Sequence, residues 1–192
     1  ARVGIEEIII STGYLAEQFE QALGDGSRWG VQFRYSEEES PRGTGGALAL
    51  AARRFLRADD TVVVLNADLV SEHSVEQQVM FHESHAADLT VHVREVQDPR
   101  RFGLVRFDHD KRVTAFIEKP EEVSREWINA GTYVVRGKVL LNLPETYPLS
   151  WEREVMPNLI ESGVRVFAFQ ERAYFRDAGT QEDISSIEND RR

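Results

Sequence analysis

Apolar residues along the chain change repeatedly between two spacings, one typical of strands and the other typical of helices. Short apolar runs such as EEIIIST and TVVVL have the length and composition of buried strands. Between such runs, LAEQFEQAL places Leu15, Phe19 and Leu23 on one helical face, and GTGGALALAARRF leads from a glycine-rich turn into a helix. The first half therefore predicts the order β-α-β-α-β-α-β, which is typical of α/β domains that have a mainly parallel sheet with helices on both faces.

The second half of the chain is richer in strands. GLVRFDHDKRVTAFIEKP predicts a hairpin that turns at residues 108–110, and NAGTYVVRG and VRVFAFQE predict two further strands. SWEREVMPNLIESG predicts a helix that ends at Gly163, and QEDISSIENDRR predicts a last helix. The chain contains no internal repeat and no linker, so we expect residues 1–192 to form one compact domain.

Composition and charge narrow the classes of function. The 23 Lys and Arg residues against 33 Asp and Glu residues give a net charge of −10, which argues against binding of nucleic acid or of an anionic membrane. The absence of cysteine excludes disulfides and thiolate metal sites. No apolar run reaches the roughly 18 residues of a transmembrane helix, and the first residues lack the pattern of a signal peptide. We therefore expect a cytoplasmic protein that binds neither nucleic acid nor membrane.

Two aspartates stand out as candidate functional residues. Asp68 follows the predicted strand TVVVL, and Asp177 follows aromatic residues and precedes a glycine in YFRDAGT. Ligands bind at the carboxyl ends of the parallel strands in open α/β sheets, so the carboxylate of Asp68 is a candidate for a binding crevice. Each aspartate could equally cap a helix or a turn.

Other candidate residues lie in a glycine-rich turn and near the later strands. Glycines in GTGGAL permit close approach of a backbone to an anion at a helix N-terminus, although such turns also serve packing. Glu118 and Lys119 close the strand before Pro120, and Asn129 and Gly131 begin NAGTYVV. A solvated surface or an ordinary turn would explain each of these residues separately.

Taken together in this order, the segments GTGGAL, LNADL, FGLV, EKP, NAGTYV and RDAGT resemble a family of nucleotidyltransferases. These enzymes join a nucleoside triphosphate to a sugar 1-phosphate and release pyrophosphate. The likeness covers almost the whole chain and is strongest to mannose-1-phosphate guanylyltransferases and the related heptose 1-phosphate guanylyltransferases. It implies an α/β fold of the nucleotide-diphospho-sugar transferase type, a three-layer Rossmann-like arrangement.

The family's first strand and its glycine-rich signature loop have no counterpart in these 192 residues. Ala1 stands just ahead of the segment that corresponds to the second strand. We therefore expect residues 1–192 to form a nucleotidyltransferase catalytic domain that is incomplete at its N-terminus.

The resemblance also implies a site and a cofactor. Asp68 and Asp177 would bind Mg²⁺, a hard cation that takes carboxylate and phosphate oxygens, and Lys119 would hold the phosphate of the sugar 1-phosphate. These three residues form the predicted catalytic set. The residues predicted to contact the sugar are Gly103, Glu118, Asn129 and Gly131, and those predicted to bind the nucleotide are Glu38, Gly43, Thr44 and Gly45.

Glu38 lies five positions before Gly43, where the resembling enzymes read the base. A carboxylate accepts hydrogen bonds, which suits the N–H donors of guanine better than uracil or thymine, so GTP is favoured. The run of residues 37–39 is also compatible with a solvated acidic loop. The alternatives left open are a heptose 1-phosphate substrate, a uridylyl- or thymidylyltransferase for another hexose 1-phosphate, and a non-catalytic module that senses a nucleotide sugar. Homo-oligomerisation is left open as well.

Overall fold

A computed structural model describes residues 4–118 and 125–190. The strands are β1 (Glu7–Thr12), β2 (Gln32–Glu37), β3 (Thr61–Leu65), β4 (Leu69–Ser71), β5 (Leu89–Val96), β6 (Gly103–Phe107), β7 (Val113–Glu118), β8 (Glu126–Arg136), β9 (Val166–Gln170) and β10 (Phe175–Asp177). The helices are α1 (Ala16–Leu23), α2 (Gly43–Phe55), α3 (Val75–Ser84), α4 (Gly137–Leu141), α5 (Met156–Glu161) and α6 (Gln181–Asp190). A 3₁₀ turn covers Ser27–Trp29, and a π-helical turn, Trp151–Val155, runs directly into α5.

The described residues divide into two compact units. The first unit contains the chain up to Asp60 together with Arg136–Met156. The second unit contains Thr61–Val135 and the chain from Pro157 onward. Within the described ranges, no helix has the length and apolar character needed to cross a lipid bilayer.

In the first unit, β1 and β2 form a parallel pair whose register begins with Glu7 opposite Gln32. Helix α2 packs against both strands and against α4. Ala49 and Ala52, three residues apart on one face of α2, are fully buried. Alanine combines a high helix propensity with a small side chain, so the helix that the sequence predicts can also approach its neighbours closely.

The second unit is built on a mixed sheet with the strand order β7-β6-β8-β5-β9, and β3 also pairs with β8. Strands β5 and β9 are parallel, whereas β5–β8, β8–β6 and β6–β7 are antiparallel. The α/β fold class is confirmed, and the predicted hairpin connects β6 and β7. Asp108 stabilises its turn, because one carboxylate oxygen accepts the N–H groups of Asp110 and Arg112, each at 3.0 Å.

The spacing of apolar residues does not predict two short strands of the structure. Strands β4 and β10 have three residues each and form a separate antiparallel ribbon. A run of three residues is too short to show a hydrophobic period. Strand β8 is longer than NAGTYVVRG predicted, because its pairing with β5 begins at Glu126 opposite Val96.

A cluster of buried polar side chains lies under α3 in the second unit. The rings of His73 and His92 stack with their centroids 4.2 Å apart, and His73 Nε2 lies 3.1 Å from Gln78 Oε1. Gln78 Nε2 donates to the carbonyl oxygens of Thr90 and Thr132, so its Oε1 is the acceptor and His73 carries its proton on Nε2. Burial, and then the neighbouring His73, lowers the pKa of His92 to about 4.

Replacing His92 by Phe should flatten the pH dependence of stability. The folded protein keeps His92 neutral down to about pH 4, whereas the unfolded chain binds the proton near pH 6.5. The free energy of unfolding of the wild-type protein should therefore fall by up to about 3 kcal/mol as the pH falls through this window. In His92→Phe, which keeps an aromatic ring beside His73, urea unfolding at intervals from pH 6.5 to pH 4 should show a smaller loss. Identical slopes for the wild-type protein and His92→Phe would contradict a neutral buried His92.

Candidate active site

The pairing of β4 with β10 makes Asp68 and Asp177 neighbours. Leu69 lies opposite Asp177 in the register of the ribbon, and the backbone N–H of Ala178 donates to the carbonyl oxygen of Asp68 at 2.7 Å. The two aspartates therefore lie at the same end of the ribbon. The pairing thus brings the backbones of the two aspartates together, as a shared metal ion would need.

The surroundings of the two carboxylates fit a divalent cation. Asp68 is exposed, and among the residues that the structure describes no hydrogen bond or ion pair engages its carboxylate. Asp177 Oδ1 accepts the N–H of Gly179 at 2.8 Å, and Oδ2 lies 3.9 Å from Nη2 of Arg101. Both side chains thus retain oxygen atoms for a cation such as Mg²⁺, which proteins usually hold with one or two carboxylates and substrate phosphates.

The residues predicted to contact a sugar lie on three adjacent strands. Gly103 on β6 is opposite Glu118 on β7. Leu104 is opposite Ile128 on β8, so Gly103 stands beside Asn129 at the next register position. A Cβ atom at Gly103 would lie 3.1 Å from Glu118 Oε2 and 2.7 Å from the Phe116 ring. The glycine therefore leaves room for the Glu118 carboxylate.

A bulge in β8 connects this group to the segment that carries Asp68. The register shifts where β5 residues Val91 and Val93 face β8, and Gly131, within the bulge, has φ +66°. Its carbonyl oxygen accepts the N–H of Asn66 at 3.0 Å, and a Cβ atom at position 131 would overlap the Leu69 side chain. Bulges occur frequently beside functional sites because they redirect the backbone.

Asn129 is buried and its amide is engaged within β8. Its Oδ1 accepts the N–H of Gly131 at 3.0 Å, and its Nδ2 donates to the Tyr133 hydroxyl at 2.6 Å. In this structure the side chain stabilises the bulge. Its predicted contact with a sugar stays a prediction.

A cavity of about 360 Å³ borders both chain neighbours of Asp68. The lining of the cavity is mainly apolar, and it includes the polar side chains of Asn66, Ser71 and His73. Apolar pockets with a few placed polar groups are the usual form of small-molecule sites. The lining residues are Leu65, Asn66, Ala67, Leu69, Ser71, His73, Val75 and Thr132.

In the first unit, the glycine-rich turn packs around a single backbone carbonyl. The N–H groups of Gly45 and Gly46 donate to the Leu149 carbonyl oxygen at 2.9 and 3.3 Å. Gly43 has φ +75°, and a Cβ atom there would lie 2.5 Å from the same oxygen. Thr44 Oγ1 accepts the N–H of the buried Trp151 at 2.8 Å. Packing therefore explains these glycines, and their predicted contact with a nucleotide stays a prediction.

Glu38 is half-buried at the start of this turn. Its Oε2 accepts the backbone N–H of Arg42 at 2.9 Å, so one carboxylate oxygen has a structural role. Lys119, predicted to hold the sugar phosphate, lies outside the described residues. Arg101 and Asn66 contact the candidate metal segment but were absent from the predicted site, because the resemblance assigned no role to either and their contacts come from distant segments.

Two carboxylates held together by a short ribbon, in an α/β protein whose main sheet gathers small and polar residues on adjacent strands, are features of a site for phosphorylated ligands. The sequence matches the nucleotidyl transferase family over residues 1–192, and the chain belongs to this family.

The chain is also similar to individual named proteins. The chain is 41% identical over 185 residues to the mannose-1-phosphate guanylyltransferase of Mycobacterium tuberculosis, covering 96% of this chain and 51% of the relative. It spans about half the length of the curated relatives that it matches. The crystal structure of HddC from Yersinia pseudotuberculosis superposes with a TM-score of 0.83 at 28% identity, covering 100% of this chain and 81% of HddC. A structure of HddC complexed with GMP-PN gives a TM-score of 0.80 at 26% identity, with the same coverage.

Replacing Gly43 by Ala should destabilise the protein more than the same change at Gly163. Both residues have positive φ, but only at Gly43 would the new methyl group meet a backbone atom, the Leu149 carbonyl oxygen. We expect Gly43→Ala to cost about 1–3 kcal/mol of unfolding free energy beyond the cost in Gly163→Ala. Urea unfolding of both variants measures the difference, and equal losses would contradict the close packing of the turn.

Proposed function

We propose that the protein transfers a nucleotidyl group from a nucleoside triphosphate to a sugar 1-phosphate. The products would be a nucleotide sugar and pyrophosphate. The observation that carries this proposal is the β4–β10 pairing, which holds Asp68 beside Asp177. Membership of the nucleotidyl transferase family supports the reaction class.

In this reaction an oxygen of the sugar 1-phosphate attacks the α-phosphorus of the triphosphate, and pyrophosphate leaves. No side chain needs to act as nucleophile, because in-line positioning and neutralisation of charge supply most of the catalysis in such transfers. Asp68 and Asp177 would hold Mg²⁺. When bound, this ion would neutralise negative charge on the phosphates.

The sugar-binding role falls to the residues gathered on β6, β7 and β8. Glu118 would accept hydrogen bonds from sugar hydroxyls, and Gly103 would let the sugar approach the sheet closely. Asn129 and Gly131 would form the floor of the pocket. Lys119, next to Glu118 in sequence, would bind the phosphate of the sugar 1-phosphate and so fix the attacking oxygen.

We further propose GTP and mannose 1-phosphate as the substrates. The mannose-1-phosphate guanylyltransferase of Mycobacterium tuberculosis is 41% identical to this chain, and the HddC structure complexed with GMP-PN shares its fold. Glu38 supports guanine, because one oxygen of its carboxylate accepts the Arg42 N–H and the other, as far as the described residues go, can accept from a base. We place the reaction in the cytoplasm.

Replacing Asp68 by Asn should remove metal-dependent turnover while keeping the fold. Loss of a ligand to a charge-neutralising ion costs several kcal/mol in the transition state, so release of pyrophosphate from GTP and mannose 1-phosphate should fall about 100-fold or more. Circular dichroism should be unchanged, since the side chain is exposed. Asp110→Asn, in the exposed β6–β7 turn, serves as the control and should retain activity. Wild-type turnover in Asp68→Asn would refute the metal role.

Replacing Glu38 by Gln should reduce the preference for GTP over UTP. The amide oxygen can still accept the Arg42 N–H, so the turn should persist, but the side chain then offers guanine an N–H donor where an acceptor is needed. A lost hydrogen bond to a charged group corresponds to about tenfold or more in the ratio of kcat/KM values. Glu39→Gln tests the neighbouring residue of the same acidic run. A change in Glu39→Gln but not in Glu38→Gln would reassign base recognition by one position.

A further inference from the structure

Hydrogen bonds and one ring contact hold the loop between β5 and β6. Asp98 accepts hydrogen bonds from Nε and Nη2 of Arg100, at 2.9 and 2.6 Å, and from its backbone N–H at 3.1 Å. The N–H of Phe102 donates to the Pro99 carbonyl oxygen at 2.9 Å. The Phe102 ring packs edge-on against the ring of Phe175 on β10, with centroids 6.1 Å apart. Arg101 therefore lies next to a residue that contacts the strand carrying Asp177.

The guanidinium of Arg101 lies between two carboxylates. Its Nη2 is 3.2 Å from Asp183 Oδ2 and 3.9 Å from Asp177 Oδ2. Asp183, in the first turn of α6, also accepts the Thr180 hydroxyl at 2.7 Å and donates its N–H to Thr180 Oγ1 at 3.1 Å. Asp183 is thus held in place. In residues 4–118 and 125–190, Arg101 provides the single ion pair of Asp177.

We propose that Arg101 is a positioning residue that competes with a divalent cation for Asp177. The inference rests on the proposed function, which assigns Asp177 as a metal ligand. Oδ1 of Asp177 already accepts the Gly179 N–H, whereas Oδ2 faces the guanidinium, so a metal ion that binds Oδ2 meets Arg101. Two cations near one oxygen repel each other.

Binding of a divalent cation at Asp177 therefore moves the guanidinium fully onto Asp183, which it already contacts. Arg101 precedes Gly103 by two residues, so this movement takes place on the loop that leads to the predicted sugar pocket. Before the cation binds, Arg101 compensates the charge of Asp177. Afterwards, the guanidinium forms one ion pair, with the carboxylate of Asp183 in the first turn of α6.

The test is the affinity of the chain for Mn²⁺ alone, measured by electron paramagnetic resonance titration of the free ion. Arg101→Gln removes the competitor and should tighten Mn²⁺ binding about two- to fivefold, the range that exposed ion pairs support. Asp183→Asn keeps an acceptor for Thr180 but leaves Asp177 as the only carboxylate for Arg101, so it should weaken binding by a similar factor. In the double variant the effect of Asp183→Asn should disappear.

A purely structural role for Arg101 predicts a different pattern. If Arg101 served only to dock α6, both single variants would weaken Mn²⁺ binding, and this result would overturn the inference. Unchanged affinity in Arg101→Gln would overturn it as well. Arg106→Gln, on an exposed position of β6, controls for the change in net charge and should bind Mn²⁺ as the wild-type protein does.

Two further variants separate this inference from the proposed function. Asp68→Asn and Asp177→Asn should each weaken Mn²⁺ binding. If they do so while Arg101→Gln binds like the wild-type protein, the metal site stands and the role of Arg101 is refuted. If neither variant changes Mn²⁺ binding, the metal assignment itself is wrong, and the inference about Arg101 falls with it.

Discussion

The candidate site depends on the pairing of two very short strands. Strands β4 and β10 come from distant parts of the sequence, and three residue pairs and one hydrogen bond to the Asp68 carbonyl bring their aspartates together. Two-stranded ribbons are marginal on their own. The position of this one is reinforced by Phe175, whose ring packs against Phe102 and under the guanidinium of Arg94. These contacts of Phe175 therefore support the strand that carries Asp177, one of the two proposed metal ligands.

The second constraint is the bulge in β8. Most of this strand is buried, with Ile128 and Val134 fully inaccessible, and such a strand cannot by itself present polar groups to a ligand. The bulge interrupts the regular pairing with β5. It brings the Gly131 backbone against Asn66, next to the segment that carries Asp68. The absence of a side chain at position 131 permits this contact.

Charge around the site has the same sign as the net charge of the chain, although two arginines lie there. The protein carries a net charge of −10, yet Arg101 and Arg176 flank Asp177, and each is balanced by an aspartate of α6, Asp183 or Asp190. Screening limits interactions between exposed charges to about 10 Å at moderate ionic strength. Because four aspartates, Asp68 and Asp177 among them, stand against these two arginines, a phosphorylated ligand at the site would depend on a bound cation to offset the negative charge.

Local information in the sequence determined most of the secondary structure. The strand at Thr61–Leu65, the helix at Gly43–Phe55 and the β6–β7 hairpin follow from apolar spacing and turn residues, since these signals act between near neighbours in the chain. The family resemblance, rather than any spacing, selected Asp68 and Asp177 as a pair. A single sequence contains no distance between residues so far apart.

Contacts between residues far apart in the sequence were decided by the tertiary structure alone. It paired β4 with β10, which are too short to show a period, and it placed Arg101 between two carboxylates. It also showed that the glycines of GTGGAL pack around the Leu149 carbonyl. A glycine in a sequence reports that the backbone needs freedom or space, but the group that fills the space comes from a distant segment, and only folding brings that segment into contact.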